Sequence, residues 1–446
     1  MMKFGFAKAG ITPRVGVELC GFGAYILRKS IGVRDRLWAR AMAVEHDGKR
    51  AVLVSCDLIG ITLALTRQAR RICREATGLS DDAVMIHCTH THSGPGIGAY
   101  IGWGEADGPY LELLPGRIAK ACREALANLQ EATLFHAVVP CEGIGYNREY
   151  DKTPPFPDAL DENWRPAKPE MTDTTCQVLR VDAAGRPIGF LSYFGCHPVV
   201  CCAETRYIHG DYCGVATNLL EQEHPGSVGL FLQGAQGDVN ACVVHKPEQE
   251  SLKALGVIAA RYARAVRAGL QAARPLDVNA LAVCRREVTF TRKPWDRKKL
   301  SEMLSAEEAI IHAPEATDTD QKVRLARVRA TALRRMIATL DAGGSLQPPT
   351  EVHGLRLGPI ALLGGPFEIF QAIKNDILRQ AKSPIPLVMG LTDDSIGYAV
   401  DCLKAAQGGY AADLVPLICG SLPFANVHEE LVKALLDLDA ALQSGE

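Results

Sequence analysis

Residues 42–57, MAVEHDGKRAVLVSCD, decide how the first part of the chain folds. Two apolar runs flank Asp47 and Gly48, and an Asp-Gly pair between apolar runs is typical of a β-hairpin turn. Residues 63–77 then place apolar side chains at helical spacing, and residues 83–88, AVMIHC, again look like a strand. The order strand, strand, helix, strand therefore predicts a sheet flanked by helices.

The same order returns in the middle of the chain. Residues 176–197, CQVLRVDAAGRPIGFLSYFGCH, predict a strand, a turn at 185–187 and a buried strand that ends at His197. A helix over 214–223 and the strand VGLFLQGA, 228–235, are predicted to follow. Because the polar motifs lie where strands end, the sequence predicts an α/β fold with a mixed β-sheet core and chemistry on the loops at sheet edges.

We predict one domain over residues 1–446, because neither a linker rich in Ser, Gly and Pro nor a low-complexity run divides the chain. Residues 292–340 are rich in Lys, Arg, Glu and Ala at helical spacing, which predicts an inserted helical hairpin. Its acidic and basic residues alternate, as on a solvated face. We therefore expect this insertion to be a non-catalytic flap or a contact in a homo-oligomer.

Composition excludes some partners and indicates a compartment. A formal net charge of −2 gives no electrostatic basis for binding nucleic acid or an anionic membrane. The first residues, MMKFGFAKAGITPR, lack the apolar core of a signal peptide, and no span of about 20 apolar residues occurs, so we expect a cytoplasmic protein without stable membrane association. The 15 scattered cysteines are expected to be buried hydrophobes rather than disulfides or a structural zinc site.

Residues 85–96, MIHCTHTHSGPG, place three histidines before a Gly-Pro-Gly turn. On an extended backbone, His90 and His92 project to the same side, where one or both could bind a metal. The alternative is a histidine pair that only hydrogen-bonds within a buried turn. His197 is another imidazole at the end of a buried strand, and alone it would also fit a core histidine.

Two further candidates lie near the carboxyl end. Glu368 lies in the apolar segment IALLGGPFEIF, 360–370, where an ionised carboxylate is costly unless it is paired, capped or metal-bound. A helix N-terminal acid is the structural alternative. Tyr398 lies in LTDDSIGYAVD, 391–401, where a tyrosine usually packs. Two histidines with a carboxylate form a recurring catalytic zinc set.

Ordered blocks along most of the chain resemble the neutral/alkaline ceramidase family. THTHSGPG is the most recognisable of them. The others, in order, are AGITPRVGVELCGFG, GVRDRLWARAMAVEHDGKRAVLVSCD, GYNREY, GRPIGFLSYFGCH, HGDYCGVA, QGAQGDVN, GGPFEIF and SIGYAVD. The resemblance implies an α/β metallohydrolase domain that binds one Zn²⁺.

Residue by residue, the resemblance implies particular roles. The zinc ligands would be His90, His197, Glu368 and Tyr398. His92 would be a near-site histidine that orients a ligand, substrate or water. Arg148 would donate to an oxyanion or to a polar group of the substrate, and its alternative is a surface ion pair with Glu149.

Two aspartates, Asp211 and Asp238, lie in Gly-Asp turns. We expect their carboxylates to hold those turns through backbone N–H groups, rather than to support a metal.

The sequence departs from the family in two places. Asn240 stands where the family carries a serine regarded as the nucleophile, and an amide cannot take that role. Cys242, two residues later, could supply a thiolate, but alternation along a strand also fits a buried thiol. The sequence ends at Glu446, where ceramidases continue into an immunoglobulin-like domain, so we expect a soluble substrate rather than membrane ceramide.

These observations predict a zinc-dependent hydrolase that cleaves an amide bond in a small soluble molecule with zinc-activated water. Asn240 would position that water or bind a substrate oxygen. Hydrolysis of an ester or glycosidic bond is the alternative within the enzyme class. A non-catalytic binding protein that contains zinc is the alternative outside it.

Overall fold

The computed structural model describes residues 2–444. Within this range the chain forms ten α-helices: α1 (Leu63–Thr77), α2 (Gly108–Ala127), α3 (Asp211–Glu223), α4 (Glu248–Ala272), α5 (Arg297–Ile311), α6 (Gln321–Asp341), α7 (Gln371–Gln380), α8 (Cys402–Gln407), α9 (Val415–Ile418) and α10 (Val427–Ser444). A π-helical turn over Tyr410–Leu414 leads into α9. None of these helices combines the length and hydropathy needed to cross a bilayer.

The same residues form twenty strands, several of them only two residues long. The first ten are β1 (Lys3–Gly10), β2 (Gly32–Val33), β3 (Trp38–His46), β4 (Lys49–Cys56), β5 (Val84–Cys88), β6 (Gln130–Glu131), β7 (Thr133–Pro140), β8 (Gly145–Asn147), β9 (Thr175–Ala183) and β10 (Arg186–Phe194). The others are β11 (Tyr207–Ile208), β12 (Val228–Gln233), β13 (Val239–Ala241), β14 (Arg274–Pro275), β15 (Leu281–Val288), β16 (Thr350–Leu357), β17 (Ile360–Gly364), β18 (Glu368–Ile369), β19 (Ile385–Met389) and β20 (Tyr398–Ala399).

The longer strands form three mixed sheets that share one plan. The strand orders are β5-β4-β3-β1-β6, β12-β10-β9-β7-β14 and β15-β16-β17-β19. In each sheet, an antiparallel hairpin is followed along the chain by a helix and then by a strand that pairs in parallel with the second strand of the hairpin. The three segments are β3-β4-α1-β5, β9-β10-α3-β12 and β16-β17-α7-β19. The mixed α/β architecture predicted from the sequence is therefore confirmed.

The three sheets enclose a common core. Met42 of the first sheet, Leu191 of the second and Leu355 of the third belong to one buried apolar cluster. Helix α2 covers the first sheet and packs against α1, which shares an apolar cluster with that sheet; α3 and α4 cover the second sheet and α10 covers the third. Parallel strands bring their carboxyl ends to the same edge, and His90, His197 and the segment containing Glu368 all follow such strands.

Several local predictions are confirmed. The hairpin turn lies between His46 and Lys49, and α1 has the predicted bounds and ends where Gly78 adopts a left-handed conformation with φ 71°. Helix α3 begins three residues before its predicted start, where the Asp211 carboxylate accepts a hydrogen bond from Tyr212 N at 2.7 Å. All 15 cysteines are free and twelve are buried, as expected for small apolar side chains.

A buried ionic network joins α1 to the third sheet. Arg70 Nη2 lies 2.6 Å from Asp393 Oδ2, and His353 Nδ1 lies 2.7 Å from the same oxygen. Asp393 Oδ1 accepts a hydrogen bond from Ile86 N at 2.8 Å. Burial raises the pKa of Asp393, but the Arg70 charge and His353 lower it by more, to about 2. Asp393 therefore stays ionised in the folded state far below neutral pH.

We expect Asp393→Asn to lower the free energy of unfolding at pH 7 by about 2–3 kcal/mol, because it removes one of the two buried carboxylates that neutralise Arg70, the other being Glu351 with its Oε2 2.5 Å from Arg70 Nη1. The folded-state pKa is depressed, so the stabilisation is present above the unfolded pKa near 3.9 and is lost as pH falls toward 2. Urea unfolding of the two proteins at pH 7 and pH 3 measures both effects. Asp437→Asn, which removes an exposed partner of Lys433, is the control. Equal losses in the two variants would contradict the prediction.

Candidate metal centre and active site

Three histidine nitrogens and one carboxylate oxygen converge at the edge where the sheets meet. His90 Nε2 lies 3.2 Å from His197 Nε2 and 3.1 Å from His92 Nε2. Glu368 Oε2 lies 3.1 Å from His90 Nε2 and 2.9 Å from His197 Nε2. Residues separated by up to 278 positions in the sequence thus bring four potential ligand atoms to one point.

The outer nitrogens of the three imidazoles are already occupied. His90 Nδ1 lies 2.5 Å from Ile59 O, His92 Nδ1 lies 3.0 Å from Gly21 O, and His197 Nδ1 lies 2.6 Å from Gln236 O. A carbonyl oxygen only accepts, so each Nδ1 carries a proton, and in the neutral tautomer with that proton the Nε2 lone pair faces inward. Backbone carbonyls that fix the imidazole tautomer in this way are typical of metal-binding histidines.

This donor set fits a metal cation. Three lone pairs and a carboxylate oxygen repel one another at these distances, and Glu368 Oε2 has no hydrogen-bond donor within residues 2–444. Tetrahedral ligands at about 2.0–2.1 Å from zinc lie roughly 3.3–3.4 Å apart, close to the observed separations. Burial lowers the pKa of His197 to about 4, which keeps its imidazole neutral at pH 7.

The backbone after β5 is bent to deliver two of these imidazoles. His90 has φ 72°, a left-handed conformation that is rare for a residue with a side chain, and its amide donates to Leu58 O at 2.8 Å. His92 fits only because residue 21 is a glycine: a Cβ at Gly21 would lie 2.4 Å from His92 Nδ1. The Gly-rich loop around Gly21 therefore shapes the site, a role that its Gly-Phe-Gly sequence alone did not predict.

Short strand pairs fix the other candidates. Glu368 of β18 and Tyr398 of β20 are direct partners in a parallel pair, so Tyr398 is held beside the carboxylate. The Tyr398 ring centroid lies 6.3 Å from that of His197. His92, expected to be near the metal rather than on it, has its Nε2 within the converging group of atoms.

Arg148 and Asn240 lie together on the other side of the site. Arg148 follows β8, which pairs with β13, the strand that contains Asn240. Arg148 Nη1 donates to Asn240 Oδ1 at 3.3 Å and Nη2 donates to Gly237 O at 2.7 Å. The alternative ion pair between Arg148 and Glu149 is absent within the described residues, because Glu149 pairs with Lys404 at 3.2 Å.

A cavity of about 460 Å³ opens onto these groups, a size typical of sites for small molecules. Its polar lining includes His92, His197, Arg148, Asn240 and Tyr398. Its apolar lining comes from the loop after Gly21, from Trp103 and, unexpectedly, from α6.

The family profile described as neutral/alkaline non-lysosomal ceramidase, N-terminal, matches residues 2–249. The chain belongs to this family. The neutral ceramidase of Pseudomonas aeruginosa is 28% identical over 260 residues, which are 55% of this chain and 38% of that protein. Neutral ceramidase A of Dictyostelium discoideum is 28% identical over 228 residues, which are 47% of this chain and 31% of that protein. The chain thus aligns with well under half the length of these relatives.

Solved structures show the same fold. The crystal structure of neutral ceramidase from Pseudomonas aeruginosa superposes with a TM-score of 0.76 at 20% identity, over 99% of this chain and 74% of that one. A ceramidase complexed with C2 superposes with a TM-score of 0.75 at 18% identity, over 99% of this chain and 75% of that one. Both likenesses extend through the carboxyl half, beyond the residues that the family profile matches.

Asn240 and Cys242 lie on and just after β13. The Oδ1 of Asn240 faces Arg148, which leaves the Nδ2 amide to donate toward the cavity. Cys242 is no substitute nucleophile: its Sγ contacts Gly143 O and Ala159 O at 3.7 Å, and burial raises its thiol pKa to about 12. The interpretation of Cys242 as a buried thiol is therefore favoured.

The two Gly-Asp turns have the structural roles expected of them. Asp238 accepts from Asn147 Nδ2 at 2.7 Å and from Gln371 N at 2.9 Å, which ties β8 to the start of α7. Asp211 accepts from the backbone amides of Cys201 and Tyr212. Burial raises the pKa of both carboxyl groups to about 6.

A second buried group, Cys201, His209 and Asp211, also brings potential ligand atoms together. Here His209 Nδ1 accepts a hydrogen bond from Asp211 N at 3.0 Å, so the proton of the neutral ring is on Nε2. Burial raises the pKa of the Cys201 thiol well above its usual range. The Asp211 carboxylate is already occupied by backbone donors. This group therefore offers a metal no free lone pair comparable with those of the first cluster.

Proposed function

We propose that this chain is a zinc-dependent hydrolase that cleaves an amide bond in a small-molecule substrate. The observation that carries the proposal is the convergence of three Nε2 lone pairs and the Glu368 carboxylate beside the Arg148 and Asn240 donors. The ceramidase family membership supports the choice of an amide bond.

We assign the zinc ligands to His90, His197 and Glu368, with His92 as a fourth ligand or as the histidine that moves a proton. Zinc bound there would polarise a carbonyl and lower the pKa of a water molecule towards about 7. Tyr398, beside Glu368 in the strand pair, borders the same space. In this arrangement Tyr398 stabilises the metal centre, and it contributes less to zinc affinity than His90, His197 and Glu368 do.

The other residues bind and orient the substrate. The Arg148 guanidinium and the Asn240 Nδ2 amide donate to the carbonyl oxygen, whose negative charge grows as the amide is attacked. Their positions are fixed in advance, because Gly237 O holds Arg148 and the β8–β13 pair holds both residues. The Nε2 lone pair of His92 would take a proton from the attacking water and pass it to the leaving amine. Water replaces the serine nucleophile in this mechanism.

A second candidate is a binding protein that uses zinc to capture a ligand. It is favoured by the same four atoms, because four protein ligands can close a zinc site to exchangeable water. The cavity argues for an open site, since His92 and His197 both border it.

Zinc-loaded protein should be tested with matched short-chain N-acyl, ester and glycoside substrates. We expect release of the amine from the N-acyl series and a loss of that activity with a chelator, restored by zinc. Turnover confined to esters or glycosides would overturn the assigned bond. Stoichiometric zinc without turnover of any series would support the binding protein instead.

A further inference from the structure

Helix α6 contributes directly to the active-site cavity. Gln321, its first residue, and Leu325, one turn later, line the same cavity as His92 and His197. Leu325 is 128 positions away from His197 in the sequence, within the segment expected to be a non-catalytic flap. The helical hairpin formed by α5 and α6 is therefore part of the substrate site.

The hairpin is anchored rather than loose. Val328, Leu333 and Met336 on the inner face of α6 are at most 1% exposed and belong to the same buried cluster as α9 and the third sheet. Arg329 binds Glu307 through two hydrogen bonds of 2.6 and 2.7 Å, which join α6 to α5. Leu325 is thus presented to the cavity from a fixed wall.

The loop over residues 21–26 meets the hairpin through close packing at Gly102. A Cβ at Gly102 would lie 3.0 Å from the Tyr25 ring and 3.1 Å from Val328 Cγ2, so these three residues pack tightly. Tyr25 N also donates to Gly102 O at 2.7 Å. The loop over residues 21–26 and helix α6 both line the cavity and are joined through Gly102.

The cavity has both polar and apolar lining groups. His92, Arg148 and Asn240 are polar groups beside the converging ligand atoms, and α6 adds the polar Gln321 as well as Leu325. Trp103, Leu325 and Leu414 also line the cavity and pack within one apolar cluster. A substrate with its amide beside the converging ligand atoms would direct an apolar group toward these apolar residues.

We propose that the α5–α6 hairpin sets the length of the apolar group that the cavity accepts, and that Leu325 is the residue that determines this limit. The inference rests on the proposed hydrolase function for the position of the reacting amide. The substrate class is then an N-acyl compound with a short alkyl or aryl group, held within about 460 Å³.

Straight-chain alkyl hydroxamic acids of increasing length test the proposal, because the hydroxamate head binds zinc and the chain probes the wall. Calorimetric affinity of the zinc-loaded protein should rise about fourfold per buried methylene and then stop rising once the chain meets Leu325. Leu325→Ala should move this limit to longer chains, and Leu325→Trp to shorter ones. Leu304→Ala, a partly buried leucine of α5 away from the cavity, is the matched control and should leave the limit unchanged.

Two outcomes would overturn the proposal, and they are distinguishable. Tight binding of the shortest hydroxamates with the same length limit in all four proteins would reject Leu325 as the determinant while leaving the metal site intact. Absence of binding at every length, despite added zinc, would reject the proposed hydrolase site together with the inference.

Discussion

Replacing His197 with alanine should reduce bound zinc from about one ion per chain to near zero and abolish hydrolysis. His197 Nε2 contacts both His90 Nε2 and Glu368 Oε2, so its removal opens the centre of the ligand set. The fold should survive, because the ring is anchored by a single hydrogen bond to Gln236 O. Metal analysis by mass spectrometry and circular dichroism of the same samples measure both results.

His209→Ala is the matched control for this prediction. His209→Ala also removes a buried histidine from a group of potential ligands. In that group, however, His209 Nδ1 already accepts a hydrogen bond from Asp211 N and has no lone pair free for a metal. This variant should keep its zinc. Full zinc retention in His197→Ala, or loss of zinc only in His209→Ala, would move the metal site to the second cluster.

Truncating either cavity donor should slow the reaction without removing the metal. We expect Arg148→Ala and Asn240→Ala each to lower kcat by on the order of a hundredfold, because each removes a fixed donor to the developing negative charge. Zinc content should remain about one ion per chain, since neither residue is among the converging ligand atoms. Steady-state kinetics with metal analysis separates the two effects.

Cys242→Ala provides the control for the direct attack of water. Its thiol is buried next to Gly143 O and Ala159 O and does not line the cavity, so the rate should stay within about twofold of the parent rate. Intact mass measured during turnover should reveal no acyl adduct. An adduct on any side chain, or a large rate loss in Cys242→Ala, would contradict attack by water.

Local signals in the sequence predicted much of the fold. The Asp-Gly turn, the apolar spacing over α1 and the buried strand that ends before His197 could each be predicted, because each is determined by residues close together in the sequence. Those signals also placed His90 and His197 after strands, although the resemblance to ceramidases was needed to connect them with Glu368. The order hairpin, helix, strand was predicted for the first two sheets, but its third copy, β16-β17-α7-β19, and the parallel pairing of the last strand in each sheet were not.

The features that the sequence did not predict depend on contacts between residues that are far apart in the chain. His92 reaches the cluster because Gly21, 71 residues earlier, leaves room for its ring. Leu325 appears in the sequence as an ordinary apolar position of an amphipathic helix, and only the packing of α6 against the core turns it to the cavity. Glu149 pairs with Lys404 rather than with Arg148, because α8 places Lys404 beside it.

X-ray absorption at the zinc edge tests the central claim most directly, because it reports the atoms bound to the metal. The account predicts one zinc per chain with only nitrogen and oxygen neighbours at about 2.0–2.1 Å and outer scattering from at least two imidazole rings. A sulfur neighbour at about 2.3 Å would place the metal at Cys201 and contradict the account.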